Sequence, residues 1–472
     1  MEPADHIAKR RHRALRHGIG RELPATFALA APFAAANLAQ MAMGVTNTVL
    51  VGRLGAVPLA AAGLGGMFYF TLGIVIQGIL FAVAPLAAHA RGAGDRHAAC
   101  QIAGAGLVLA ILLSLPFVAA LTGLHHLLEV VGYDAALATE IDHYLRALVW
   151  GGPAFLGFAV LRSVLAAFSQ ARALMVVLLI GVAINALLSW SMIFGHLGMP
   201  ALGVVGSGYA SAVNQWLMLG GLALCIHWSA DFADLHLLRD AVAVRWTELA
   251  SILRLGIPIG AIRGIEAGVF TATGILMGLL GAAALGAHQL VINCASISFM
   301  VPLGLSQAAT VRVAYQVGAG RPFAARQAGF VALALGIGFM AAAALLMLMI
   351  PQSIIAVYVD TADPANRELV LIARHLIVIA AIFQVFDGMQ TIAVGALRGY
   401  QDTVIPLLLA SLGYWGVGFL GGWLFAFPLG YGAVGLWWGL ALGLATVAIL
   451  LTLRLHLLMP PLSQRPQTVA VG

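Results

Sequence analysis

Residues 23–52, LPATFALAAPFAAANLAQMAMGVTNTVLVG, run for 30 positions without a Lys, Arg, Asp or Glu. About 20 apolar residues cross the hydrocarbon of a bilayer as a helix, and in lipid only helices and closed barrels satisfy every backbone group. Further charge-free runs cover 54–90, 173–230, 267–311, 327–359 and 403–453. Over all 472 residues, 62% are hydrophobic and 9% charged, whereas an ordinary soluble domain carries about 25% charge. Strands of a membrane barrel alternate apolar and polar positions over about ten residues, and these solid Ala, Leu, Gly and Val runs do not. The fold expected is an all-α polytopic membrane protein.

Turn and charge punctuation predicts twelve transmembrane helices, near 25–50, 58–88, 98–122, 139–164, 173–195, 202–228, 251–279, 285–311, 325–349, 368–396, 404–427 and 432–457. With both termini on one side, that side holds 19 of the 24 Lys and Arg, and the other only Arg53, Arg146, Arg367 and Arg374. The positive-inside rule then puts both termini in the cytoplasm, as expected for a bacterial inner (plasma) membrane protein. Basic residues are spread along the chain rather than gathered in one patch, so the anionic leaflet of the lipid bilayer, not nucleic acid, is the counter-charge expected for the net +6. Cys100, Cys225 and Cys294 fit no metal or redox spacing and read as packing residues.

Shifting the chain by 226 residues lays 32–101 over 258–327 without a gap, and 20 of the 70 positions are identical. VGRLGAVPLAAAGL lies over MGLLGAAALGAHQL, and RGAGDRHAACQ over VGAGRPFAARQ. The chain is read as a duplicated six-helix unit. Because six is even, both copies enter the membrane in the same sense, giving two lobes related by a parallel internal repeat, as in several secondary transporters. The boundaries expected are a cytoplasmic tail at 1–23, lobes at 24–228 and 251–458, an inter-lobe linker at 229–250, and a C-terminal tail at 459–472.

The copies differ in charge. Gln40 lies over Glu266 and Asn37 over Arg263, so the acidic and basic groups of the seventh span have neutral counterparts in the first. Glu266, and Asp387 near the middle of the tenth span, each cost about 2.5 to 3.5 kcal/mol at the bilayer centre and should face a cavity or a partner. A carboxyl out of water is penalised for its charge, and a proton or a hard cation relieves that penalty. Glu266 and Asp387 are therefore the candidate ligands of a coupling ion, Na+ (which would make them metal ligands) or H+. Arg263, three residues from Glu266, is the candidate ion-pair partner or modulator and the only clear basic residue expected at membrane depth. Gln40, Asn47, Asn185, Phe270, Asn293 and Phe383 are candidates for a substrate path, their alternative roles being interhelical glue and packing. Met43, Met277 and Met300 could add an adaptable wall. Pro32 and Pro258 share a repeat position and are candidate hinges, or static kinks. His288 is expected to be solvated near the outer surface, and the nine Trp to sit at span ends as interface anchors. No phosphate-binding loop, and no cluster of His, Asp or Glu at a membrane face, argues for ATP drive or for an enzyme; no cofactor is expected.

The runs VGRLGAVPLAAAGLG, GIPIGAIRGIEAGVF, LGAHQLVINCASISFMVPLGLSQAATVRVAYQVGAG and LRGYQDT resemble the multidrug and toxic compound extrusion (MATE) family, in its NorM-type branch. The resemblance covers about residues 20–455. It implies a twelve-helix, two-lobed antiporter, expected to work as a monomer, that exchanges Na+ or H+ for cationic drugs and dyes by alternating access. It also implies that Glu266 is the family's span-seven acid and Asp387 its span-ten cation-site aspartate. The chain departs from the pattern at Asn47, where many bacterial members have Asp in a Val-Asp-Thr context, at Phe383, where NorM-type proteins often have Tyr, and at Arg263. Asn47 leaves the first lobe without the usual residue for a proton switch. The alternative to drug export is a flippase or exporter of a lipid-linked or polar metabolite, which would need a continuous hydrophilic, often basic, groove.

Overall fold

The computed structural model describes residues 3–124, 134–229, 232 and 245–458, with side chains from Gly20 onward except Arg21 and Ala135. Most of the expected linker and all of the tail at 459–472 lie outside them. The described chain is helical throughout: α1 (Pro3–Gly52), α2 (Ala56–Leu80), α3 (Val83–Gly92), α4 (Arg96–Thr122), α5 (Ala135–Leu148), α6 (Gly152–Ala167), α7 (Ala171–Phe194), α8 (Gly203–Trp228), α9 (Trp246–Leu279), α10 (Ala282–Gly318), α11 (Pro322–Met349), α12 (Pro351–Tyr358), α13 (Arg367–Gly399), α14 (Val404–Ser411), a π-helical stretch (Leu412–Phe419), α15 (Leu420–Ala426) and α16 (Gly432–Leu458). Twelve segments among the described residues are long and apolar enough to cross a membrane. Two adjacent helices share the second span, Ala56–Gly92. There Pro85 has no N–H to offer the Phe81 carbonyl, and the helix turns at 81–82. Other helices continue through a proline: α1 through Pro32, α9 through Pro258 and α10 through Pro302.

The duplication recurs in backbone geometry. Gly55 and Gly281, one repeat apart, take φ of 115° and 114°, and Gly94 and Gly320 take 83° and 67°. These positive values favour glycine, so the turns opening and closing the second helix of each copy are built alike.

The chain forms two compact units. The N-terminal unit comprises Ala35–Arg91 and Asp95–Gly264; the C-terminal unit comprises Met1–Ala34, Gly92–Gly94 and Ile265–Gly472. Helix α1 thus gives its first part to the C-terminal unit, and α9 gives its first part to the N-terminal one. Equivalent contacts hold these shared segments. A Cβ on Gly78 of α2 would stand 2.5 Å from Gly260 Cα of α9, and a Cβ on its repeat partner Gly304 of α10 would stand 2.7 Å from Ala34 N of α1. Small residues let helix backbones approach where lipid supplies no hydrophobic drive.

In the C-terminal unit, α13 is central and packs on α10, α11 and α16. Hydroxyls stitch its seam with α10: Ser306 Oγ donates to the Thr391 carbonyl at 2.7 Å and Thr310 Oγ1 to the Gly395 carbonyl at 2.8 Å. Arg312 of α10 forms an ion pair with buried Glu22 of α1. Replacing Glu22 by Gln should cost about 1 to 3 kcal/mol, the range for a hydrogen bond to a charged group or a buried partner left short. Thermal unfolding in detergent, with the double variant Glu22→Gln/Arg312→Met, checks this; a double variant no better than the single one removes the pair as the cause.

In the N-terminal unit, α5, α6, α7 and α8 pack together, with α2 against α5 and α4 against α6. Tyr69, Phe117 and Phe155 form its aromatic centre, with ring centroids 5.1 to 6.4 Å apart. Trp150, Trp228 and Trp246 are exposed near helix ends, as expected of anchors, but Trp437 of α16 is wholly buried. It packs at 5.7 Å on both Phe383 and His288. His288 is likewise not solvated: α10 starts six residues earlier, and the imidazole is 3% exposed under that indole.

Candidate functional site

One face of α13 is polar though buried. Gln384, Asp387, Gln390 and Thr391 follow one another at helical spacing, each nine-tenths or more out of solvent. Ser298 Oγ of α10 donates to Gln384 Oε1 at 2.9 Å. The Gln390 amide Nε2 lies 3.1 Å from Asp387 Oδ1, 3.2 Å from Glu266 Oε1 and 2.9 Å from Thr391 Oγ1. A single neutral donor therefore touches both carboxyls named from the sequence, one from α9 and one from α13. Gln390 was missed in the sequence, although its position three residues after Asp387 places it on the same helix face.

This arrangement suits reversible cation capture. Two carboxylates supply the charge and the oxygens that a hard monovalent cation or a proton can share, and the Gln390 amide donates to them when neither is bound. No cluster of three or more His, Cys, Asp and Glu exists among the described residues. Phe383, buried, stands edge-on to Phe270 at 6.1 Å and forms an apolar wall one turn from Asp387. Asn293 is exposed, and its amide donates to the Gln289 carbonyl of its own helix at 2.9 Å.

Replacing Gln390 by Leu removes a donor that stabilises the carboxylates when no ion is bound. Such a bond is worth about 1.5 to 3 kcal/mol, so the ion should bind about 10- to 150-fold more tightly and leave more slowly. The expected reading in vesicles is a lower half-saturating ion concentration together with a lower maximal rate; an unchanged half-saturation counts against the role.

The other polar candidates belong to the N-terminal unit. Asn47 Oδ1 accepts from Asn185 Nδ2 at 2.8 Å and from Ser189 Oγ at 3.0 Å, and Asn47 Nδ2 donates to Ser211 Oγ at 3.0 Å. Gln40, Asn47 and Asn185 all line a cavity of 340 Å³. Arg263 is not the only basic residue at membrane depth. Arg162 of α6 is 8% exposed and donates to Gln40 Oε1 at 2.9 Å and to Asn37 Oδ1 at 2.5 Å, residues in the middle of the first span. Arg162 lies two residues before the end of the span expected near 139–164, whereas α6 continues to Ala167.

Twelve apolar helices in two repeated sets of six define a multi-pass membrane protein. The MatE family model matches residues 32–191 and 258–424, two stretches that begin one repeat length apart. The chain is 44% identical over 440 residues to a protein named Multidrug resistance protein NorM from Burkholderia vietnamiensis, covering 93% of this chain and 95% of that one. It is 41% identical over 449 residues to a Probable multidrug resistance protein NorM from Mesorhizobium japonicum, covering 94% and 96%. The chain belongs to the MatE family. Its fold is shared with a crystal structure of a eukaryotic MATE transporter, at a TM-score of 0.82 and 22% identity over 93% of this chain and 96% of that one.

Proposed function

We propose that the protein is a secondary antiporter that exports organic cations, such as drugs and dyes, by alternating access in exchange for Na+ or H+. Glu266 and Asp387 bind the inward-moving ion, and Phe270 and Phe383 give the cation an apolar and aromatic wall. The observation that carries this reading is the Gln390 amide bonded to two carboxyls, those of Glu266 and Asp387, at membrane depth. The names of the NorM relatives support multidrug export as the physiological task.

The energetics suffice. One elementary charge moving through 100 mV releases about 2.3 kcal/mol, enough for about 40-fold accumulation of a substrate before any chemical gradient is added. The protein works as a monomer in the bacterial inner membrane with both termini in the cytoplasm, on the reading supported by the asymmetry of its Lys and Arg. Pro32 and Pro258 are proposed as the hinges, since they mark the region where α1 and α9 pass from one unit to the other.

Reconstitution into liposomes tests the proposal. Ethidium should move only when a sodium or a proton gradient is imposed, and the gradient that drives it names the ion. If neither gradient moves any of several organic cations, the antiport reading fails and the lipid-linked or polar metabolite exporter replaces it.

A further inference from the structure

Trp415 is out of place for an anchor. It lies in the middle of the span Val404–Ala426 rather than at an end, and 40% of it is exposed, so neither the membrane interface nor burial accounts for a tryptophan there. Its contacts do. Trp415 Nε1 donates to the Ile265 carbonyl of α9 at 3.3 Å, and the six-membered ring of the indole lies over Gly268, where a Cβ would stand 3.2 Å from Trp415 Cζ2. Ile265 and Gly268 bracket Glu266. Ile265 is also the first residue of α9 that belongs to the C-terminal unit. Gly256, Pro258, Gly260 and Gly264 lie in the ten residues before it, a composition that lets a helix bend. The indole therefore grips α9 where its carboxylate-bearing part begins.

The backbone that presents Trp415 is unusual too. It belongs to the π-helical stretch Leu412–Phe419, between α14 and α15. Such turns are rare and concentrate at functional sites, and the residue they add rotates the following helix face by about 100°. Helix α16 holds the stretch by its backbone: a Cβ on Gly443 would stand 2.6 Å from Gly418 Cα and 2.9 Å from the Gly413 carbonyl oxygen. Gly413 and Gly418 thus seat one side of the stretch on α16. Trp415, about half a turn round from Gly413, is turned the other way, to α9. Phe419, one turn on, packs against the indole with ring centroids 5.2 Å apart and holds its tilt.

We propose that Trp415 is a positioning residue for the coupling ion: presented by the π-helical turn, its indole holds α9 at Ile265 and Gly268 and so sets the rotation of the helix that aims Glu266 at Gln390, beside Asp387. This role rests on the reading of Glu266 and Asp387 as the ion's ligands. Glu266 Oε1 lies 3.2 Å from Gln390 Nε2, at the long end for an N–H···O bond, so a small turn of α9 about its own axis parts them. Trp415 acts through the backbone of α9 rather than on the ion. Ligands held in place beforehand bind more tightly than ligands that have to be ordered when the ion arrives.

The test is ethidium efflux from liposomes, read against the concentration of whichever ion, Na+ or H+, drives the wild type. Trp415→Phe keeps a ring over Gly268 and removes the donor, so the half-saturating ion concentration should rise about three- to tenfold, the worth of one hydrogen bond, at an unchanged maximal rate. Gly268→Ala disturbs the same contact from α9, because the indole has to give by a few tenths of an ångström. Half-saturation should again rise, by about twofold or more, although alanine favours a helix and should leave the protein at least as stable. That variant decides the matter if Trp415→Phe fails to fold. Trp423→Phe, at a second exposed tryptophan of the same span, should change nothing. In protein labelled with 5-fluorotryptophan, the fluorine NMR signal missing from Trp415→Phe should shift in the wild type when Na+ is added or the pH lowered, and stay in place in Glu266→Gln. Wild-type transport that neither ion drives overturns the antiport reading and this role with it. Ion-driven wild-type transport with unchanged half-saturation in Trp415→Phe and Gly268→Ala, a loss confined to the maximal rate, or a fluorine signal that does not respond to the driving ion overturns this role alone.

Discussion

Asp387→Asn should abolish gradient-driven ethidium efflux while leaving the protein folded. The substitution keeps the size of the side chain and an oxygen that can still accept from Gln390, so the packing of α13 against α10, α11 and α16 has no reason to change. Only the charge is lost. Removing one partner of a buried, hydrogen-bonded charge pair costs about 2 to 5 kcal/mol, which is about 30-fold or more in ion affinity. At the ion concentrations a cell maintains, transport falls to background. The check is transport in liposomes beside thermal unfolding in detergent. Wild-type efflux from the variant would remove Asp387 from the coupling site; a collapsed unfolding temperature would instead make it a structural residue. Glu266→Gln is the companion, expected to fail in the same assay because Gln390 connects both carboxyls.

Gly304→Leu should prevent accumulation of folded protein. A Cβ at this position would meet only backbone of α1: Ala34 N at 2.7 Å, Ala30 O at 2.9 Å and Ala34 Cα at 3.0 Å. No side chain there can rotate away. Overpacking a well-filled core costs about 1 to 3 kcal/mol when neighbours can adjust, and backbone that cannot adjust places this case at or above the upper end. The repeat supplies an internal replicate, since Gly78→Leu meets Gly260 Cα at 2.5 Å and Gly260 N at 3.0 Å. Gly338 of α11 is exposed and has nothing within 4 Å, so Gly338→Leu controls for the effect of leucine itself. Size-exclusion profiles of the extracted proteins give the result. A Gly304→Leu peak equal to that of Gly338→Leu would mean that the first helix does not need this close approach.

Legibility in the sequence differed between levels. Each expected span overlaps a helix long enough to cross a membrane, and the largest adjustments lengthen helices at their ends. The second span shows why ends are hard to place: its helix continues to Gly92, with a turn at 81–82 caused by Pro85. Carboxyls were conspicuous at membrane depth because lipid makes them expensive. Glutamines are cheaper there, so Gln384 and Gln390 drew no attention despite their spacing from Asp387. Arg162 stood two residues from the end of its expected span, and His288 and Trp437 were hidden by a rule that assigns aromatic and imidazole rings to the interface unless a neighbour covers them.

Composition and self-similarity alone were enough for the twelve helices, the duplication and its parallel sense. The bilayer imposes a local requirement, about 20 apolar residues that satisfy their own backbone, and a local requirement can be read from a window of sequence. Only the tertiary structure decided which polar groups meet: Gln390 with two carboxyls, Arg162 with Asn37 and Gln40, the amide cavity around Asn47, and the division of α1 and α9 between units. Apart from Gln390 with Asp387, three residues away on the same helix, those pairings join residues more than a hundred positions apart, and they depend on how each helix is rotated about its own axis. A helix that is apolar on every side carries little record of that rotation, so packing has to supply it.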